Sequence, residues 1–223
     1  MTDASGRNIN TREYWDTVYR REWETGEVSS SDYQRDYGPI HDAIVALAAG
    51  GSRVLDIACG AGVLCRKLKQ TSPAASVTGV DFSRYTVERN HERDAALGIE
   101  YLCLDVREEL PSLGGPFDVV ILCEIIEHLD DPAQVLADAF RLLRDGGRLI
   151  VTCPHDDAIP DPEHVRLWGH DEIFHALAPY TSAVSLMHFP PPYFDMWLLA
   201  TCLKEGRPVQ VAEVSRVGRP TRP

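Results

Sequence analysis

The sequence predicts one doubly wound α/β fold: a mostly parallel, seven-stranded sheet with helices on both faces and a helical segment at the amino terminus. Three observations predict it. β-rich runs at 53–57, 76–80, 99–104, 117–123 and 147–153 alternate with amphipathic helical stretches, and that alternation calls for parallel strands joined by helical crossovers. The first run passes straight into a glycine-rich turn, Ala58-Cys59-Gly60-Ala61-Gly62. Acids stand at the ends of three successive runs, as Asp56, Asp81 and Asp105. With 223 residues, 44% of them hydrophobic, the chain is long enough for one substantial core and short for two. The expected division is a helical lid at 1–52, the main domain at 53–215 and a basic tail at 216–223.

The elements follow in order. Residues 12–25 carry Trp15, Val18, Tyr19 and Trp23 at helical spacing among charges, which predicts an amphipathic helix whose aromatics either cover a pocket or dock on the core. Gly26 and Ser29-Ser30-Ser31 mark a break. A helix is expected at 40–49, stopped by Gly50-Gly51. Before the fifth run stands a helix with Asp131 as N-cap, Pro132 at its first position and Gly146-Gly147 as its stop. Beyond Cys153 come a loop rich in His, Asp and Pro, a helix at 170–177 and a strand at 183–189 that Pro190-Pro191-Pro192 ends. A last helix is expected at 193–204. The tail, with Arg207, Arg216, Arg219 and Arg222, is expected to be solvated apart from an edge strand at 209–214.

Composition narrows the partners. A formal net charge of -12 repels phosphate backbones, so nucleic acid is an unfavourable partner and a small molecule a better one. The apolar runs fall short of membrane-spanning length. Met1 to Asn10 lacks the basic start and apolar stretch of a secretory signal. Six cysteines without CxxC spacing read as reduced core residues, and a cytoplasmic protein is expected. Oligomeric state is not legible.

In a parallel sheet, ligands bind beyond the carboxyl ends of the strands, where the strand order reverses. Gly60 and Gly62 let the backbone bend sharply there and let a flat ligand pass close. A dinucleotide fingerprint wants a third glycine or alanine three residues after Gly62, and Cys65 stands there instead. Asp56 would repel a pyrophosphate but attract an ammonium group, which favours an amino-acid moiety. Asp81, about 20 residues on, has the spacing of an acid that accepts from a ribose diol. Asp105 is placed to accept from an exocyclic amine such as that of adenine.

At 53–154 the sequence therefore resembles the class I S-adenosylmethionine-dependent methyltransferases, whose first motif has the form of 54–62 and whose second acid matches Asp81. The resemblance implies a Rossmann-like fold with S-adenosylmethionine as cofactor. It implies that Asp56, Ala58, Cys59, Gly60, Ala61 and Gly62 lie against the methionyl part, with Cys123 close by. Asp81 and Phe82 would then hold the ribose, and Asp105 and Val106 the adenine.

Methyl transfer from a sulfonium is an in-line displacement that needs alignment and desolvation, and a base only for a poor nucleophile. Residues just past the fourth run face the sulfonium: Cys123-Glu124-Ile125-Ile126-Glu127-His128-Leu129, spaced so that one helical face can carry Glu124, Glu127 and His128. Two readings compete. In many similar enzymes this element lines the acceptor pocket, with His128 as base and Glu127 beside it. In the small-RNA 2′-O-methyltransferases and the ubiquinone-pathway O-methyltransferases, Glu-x-x-Glu-His binds a divalent metal with a downstream histidine, which makes Glu124, Glu127, His128 and His164 the metal candidates. The metal is the secondary reading. His155 and Asp156 are further candidates for touching the acceptor, and His170, His175 and His188 read as structural or surface residues. Tyr33, Tyr37, Trp168, Tyr193 and Trp197 form either an acceptor wall or core. The expected activity is methyl transfer to an oxygen or nitrogen of a small metabolite; the alternatives are a metal-dependent macromolecule O-methyltransferase and a non-catalytic S-adenosylmethionine-binding protein.

Overall fold

The computed structural model describes residues 9–189, 193, 195–205 and 219–220. Its strands are β1 (Arg53–Ile57), β2 (Ser76–Asp81), β3 (Glu100–Cys103), β4 (Phe117–Cys123), β5 (Leu143–Pro154), β6 (Arg166–Leu167), β7 (Val184–His188), β8 (Trp197–Leu203) and β9 (Arg219–Pro220). Its α-helices are α1 (Arg12–Thr25), α2 (Ser31–Ala48), α3 (Val63–Thr71), α4 (Arg84–Asp94), α5 (Pro132–Leu142) and α6 (His170–Leu177). Seven strands form one sheet in the order β3-β2-β1-β4-β5-β8-β7. Neighbours from β3 through β5 pair in parallel, whereas β8 runs against both β5 and β7. The order reverses between β1 and β4, so a crevice opens at their carboxyl ends.

Both faces of the sheet are covered, which is why β1 and β4 are apolar almost throughout. One core cluster joins Leu55, Leu122, Val151, Leu136, Phe140 and Trp168. The other joins Ile40, Ile44, Leu64, Leu68, Ile121 and Trp197. The predicted fold class holds, and several element boundaries move.

Helix α2 begins at Ser31, with the Ser30 side chain capping Tyr33 N, and it runs through Pro39. Proline has no N–H for the Arg35 carbonyl four residues back, and the Tyr193 hydroxyl donates to that carbonyl instead, at 2.9 Å. A tertiary partner thus replaces the lost bond, and the helix starts well before the expected 40. Helix α5 stops at Leu142, and β5 starts at once at Leu143. Gly146 serves the strand: at φ 71 its N–H donates to the Lys204 carbonyl at 2.8 Å. The expected last helix is a correction, because Trp197–Leu203 is the strand β8. Its apolar run is buried on both faces of the sheet, and a doubly buried strand has the same composition as a buried helix turn. Part of the tail is also ordered backbone, since β9 pairs antiparallel with β6. The edge strand expected at 209–214 and the boundary at 215 lie outside the described residues. Among those residues, no helix is long and apolar enough to cross a membrane.

Candidate active site

The turn after β1 carries left-handed backbone at Ala58 (φ 60), Gly60 (φ 50) and Gly62 (φ 67). Gly62 is required by packing as well as by torsion: a Cβ there would lie 2.6 Å from the Tyr101 hydroxyl. Helix α4 braces the turn from outside. Asn90 Nδ2 donates to the Gly60 carbonyl at 2.8 Å, and Arg93 Nη1 to the Ala61 carbonyl at 2.7 Å. Sequence reasoning missed both residues, although polar side chains three apart on one helix face, next to a glycine turn, were a usable signal.

Asp81, 1% exposed, accepts from the Gly60 N–H and the Ser83 N–H, each at 2.9 Å, and from the Tyr19 hydroxyl at 3.5 Å. Burial pushes its carboxyl up to about 6 against those bonds. Asp56 is buried below the turn, where Cys65 Sγ donates to it at 3.2 Å, and burial pushes it up to about 7. Cys65, which turned the motif away from dinucleotides, therefore has a second task. Asp105 lies beyond the end of β3, which stops at Cys103. Burial would raise its carboxyl, but the Arg107 guanidinium, at 2.5 and 2.8 Å, holds it below the ordinary range. Arg107 and Arg12 also lie over the Phe82 ring, at 5.4 and 5.7 Å.

These residues line two adjoining cavities. The smaller, of about 540 Å³, is bounded by Asp81, Phe82, Asp105, Val106 and Ile125 below and by Trp15 and Tyr19 of α1 above. The larger, of about 1520 Å³, takes in Asp56, Cys59, Gly60, Ala61, Cys123, Tyr33 and Tyr37. Trp15, Tyr19, Ala58, Glu124 and His128 line both and form the wall between them. Gly62 lines neither; it starts α3 from behind the turn. Trp168 is fully buried and Trp197 2% exposed, so both are core, and Tyr193 packs against the same core. Of the five expected wall aromatics, the two tyrosines of α2 line the chamber.

The element after β4 is not a helical face. Glu124 sits at φ 53, and a 3-10 turn follows at Ile126–His128. The left-handed residue breaks the helical spacing, a conformation that costs a non-glycine residue of order 1–3 kcal/mol and that concentrates at functional sites. Glu127 is 1% exposed, and neither of its carboxylate oxygens has a hydrogen-bond partner. Burial and the neighbouring Glu124 drive its carboxyl well upward, while Glu124 itself rises to about 7 on burial. His128 Nδ1 lies 3.1 Å from the Glu163 carbonyl, which puts the ring proton there and turns Nε2 toward Glu127 Oε1 at 3.8 Å. Burial and His164 push its pKa down to about 4, so the ring is neutral at pH 7.

His164 arrives on the loop after β5, with its ring 5.2 Å from that of His128. One ligand atom from each of Glu127, His128 and His164 lies within 4.8 Å of the others. Glu124, although it neighbours Glu127, is outside that group. An orphaned buried carboxylate beside two imidazoles is a donor set that fits a divalent cation. The loop is fixed by Val165 N donating to the Glu127 carbonyl at 2.9 Å and by Asn10 Nδ2 donating to the Glu163 carbonyl at 2.7 Å. Asn10, Tyr14 and Glu163 escaped the sequence reading, since their meeting depends on a separation of about 150 residues. His155 and Asp156, expected near the acceptor, line neither cavity.

The chain resembles known proteins. Residues 55–151 match the methyltransferase domain family. A ubiquinone biosynthesis O-methyltransferase of Pseudomonas aeruginosa (strain LESB58) is 32% identical over 131 residues, which cover 54% of this chain and 56% of that protein. The ubiquinone/menaquinone biosynthesis C-methyltransferase UbiE of Desulfotalea psychrophila is 36% identical over 101 residues, covering 45% and 41%. The chain thus spans about half the length of these curated relatives. Among solved structures, the N-methyltransferase NodS of Bradyrhizobium japonicum WM9 with S-adenosyl-L-homocysteine shares the fold, with a TM-score of 0.67 at 18% identity over 86% of this chain and 99% of that one. The proteins that the chain resembles are thus named for transfer to oxygen, carbon and nitrogen. Residues 55–151 are thus similar to a methyltransferase domain, and the fold is the Rossmann-like one of the class I S-adenosylmethionine-dependent methyltransferases.

Proposed function

We propose that the chain transfers the methyl group of S-adenosylmethionine to an oxygen of a small hydroxylated metabolite in the cytoplasm. The smaller cavity takes the nucleoside, with Asp81 and Phe82 at the ribose and Asp105 and Val106 at the adenine. Asp56, Ala58 to Ala61 and Cys123 take the methionyl part, and Gly62 shapes the turn from behind. The larger chamber takes the acceptor, and α1, with Trp15 and Tyr19 over both, is the lid. One observation carries the catalytic assignment: Glu127, buried and unpartnered, stands with His128 and His164 at the wall between the chambers.

Glu127, His128 and His164 would hold a divalent ion, which when bound supplies a Lewis acid that lowers the pKa of an acceptor hydroxyl. The chain's own residues align and dry the reaction. Trp15 packs edge-on against His128 at 5.3 Å and closes the wall to water. Backbone from the loop after β5 fixes the His128 tautomer. The acceptor oxygen forms its bond to the methyl carbon as the bond to sulfur breaks, and the hydroxyl proton is released. A second reading rests on the neutral His128: with no ion, its Nε2 takes that proton. Seven acids and one arginine line the larger chamber, which disfavours a nucleic-acid acceptor.

Chelation separates the two readings. Metabolite hydroxyls are screened by product mass with labelled donor, and the active one is assayed in chelator. The metal reading expects lost turnover, restoration by magnesium, manganese or zinc, and unchanged donor binding by calorimetry. Full turnover in chelator, together with an inactive His128→Ala, leaves His128 as the base.

A further inference from the structure

A second group of imidazoles stands apart from the cleft. His155 follows β5, His170 opens α6 and His188 ends β7, so three stretches distant in sequence meet at the carboxyl edge of the sheet. His170 Nε2 and His188 Nε2 lie 2.8 Å apart, with ring centroids 4.6 Å apart. The His155 ring is 4.8 Å from that of His170 and 6.5 Å from that of His188. Asp156 Oδ2 lies 3.8 Å from His155 Nε2.

The backbone beneath is fixed. His155 N donates to the Met196 carbonyl at 2.9 Å and Asp156 N to the Trp168 carbonyl at 2.8 Å, and Trp168 is fully buried. Asp156 is held at φ 49, a left-handed conformation that a non-glycine residue adopts at a cost. Neutral imidazoles are the ligating form.

We propose that His155, His170 and His188, with Asp156, form a second metal site, for zinc or a similar borderline transition ion. Bonds of about 2.0–2.1 Å at tetrahedral angles set ligand nitrogens about 3.3 Å apart, so the His170–His188 pair opens by about half an ångström to admit the ion. Rotation of the His155 ring brings its nitrogen in, and the Asp156 carboxylate completes four ligands. An imidazole-rich set selects zinc, cobalt or nickel over magnesium. The site has a use: the loop that starts at His155 ends in Glu163, His164 and Val165, which dock on the Glu127–His128 turn. An ion at its root clamps the acceptor wall to α6 and β7.

The test uses tag-free, chelator-stripped full chain, with zinc and magnesium as calorimetric probes and cobalt as a visible-absorption probe. In Glu127→Gln, which removes a ligand of the other cluster, one equivalent of zinc binds at micromolar strength or better, and magnesium does not. In His188→Gln, and independently in His170→Ala, that equivalent weakens by about tenfold or more. Zinc raises the melting temperature and slows amide exchange at 155–165 in Glu127→Gln but not in Glu127→Gln/His188→Gln. Zinc binding of unchanged strength in the His170→Ala and His188→Gln variants overturns the site. So does the lack of any zinc equivalent tighter than about 100 μM in Glu127→Gln, whatever becomes of turnover.

Discussion

The two halves of the cleft are built on opposite terms. On the β1–β3 side each acid is already engaged: Asp81 with two backbone N–H groups, Asp56 with Cys65, Asp105 with Arg107. On the β4–β5 side, Glu127 has no partner and Glu124 Oε1 none either. Buried polar groups are ordinarily satisfied, so an orphaned carboxylate lining a chamber is a candidate for completion by a ligand. On the proposed function, the donor half is preorganised and the acceptor half is completed by what it binds.

The largest expected effect breaks the halves apart. Asp81→Ala should weaken donor binding by about a hundredfold or more, the loss of two hydrogen bonds to a charged group, while His128→Ala should leave it within about threefold and cut turnover by on the order of a hundredfold. Calorimetry and single-turnover rates decide, and an equal loss of donor affinity in both variants would erase the distinction.

Acid should act next, with opposite signs on the free and loaded protein. Burial raises Asp56 from 3.8 to about 7 and Asp81 to about 6, so the free protein holds protons that the unfolded chain has released. For these two groups, stability without donor should rise as pH falls from about 7 toward 4. On the proposed role of Asp56, donor binding needs it ionised, so the donor's dissociation constant should rise by up to about tenfold per pH unit below about 7. Melting curves with and without donor should therefore converge on acidification; parallel curves would deny Asp56 its ammonium.

A smaller effect sharpens the contrast. Glu127→Met replaces an orphaned acid with an apolar chain and should stabilise the unliganded protein by about 1–2 kcal/mol while turnover falls. The same exchange at Asp81 should destabilise, because it strands two N–H groups. Smallest is Tyr193→Phe, which removes the donor to the Arg35 carbonyl and should cost about 0.5–1.5 kcal/mol with donor affinity unchanged.

The same contrast governs what the sequence discloses. Asp56, Gly60, Gly62 and Asp81 lie within a short stretch, each beside a strand end, so local patterning exposes the fold and names the candidate donor site. Glu127, His128 and His164 are nameable as candidates, but which of the four acids and imidazoles come together depends on a loop fold that residue spacing does not record. The contacts from Asn10 and Tyr14 to Glu163 join positions about 150 residues apart, and no local period records them. Helix α2 and strand β8 were misjudged for a related reason: Tyr193 rescues a proline, and burial on two faces erases alternation.

Helix α1 and the segment before it fasten to both halves at once. Arg12 donates to the Phe82 carbonyl, Asp16 accepts from Ser83 and Trp23 bonds Thr86 on one side, while Tyr14 and Asn10 hold Glu163 on the other. On the proposed function, spent donor and product would leave through the same event, the rupture of one set of bonds, once per cycle. Such openings take microseconds to milliseconds and often outlast the chemistry. On that reading the tempo of turnover is set by how firmly a helix grips its own scaffold, and a faster variant is to be sought at Trp23 and Tyr14 rather than at the methyl group.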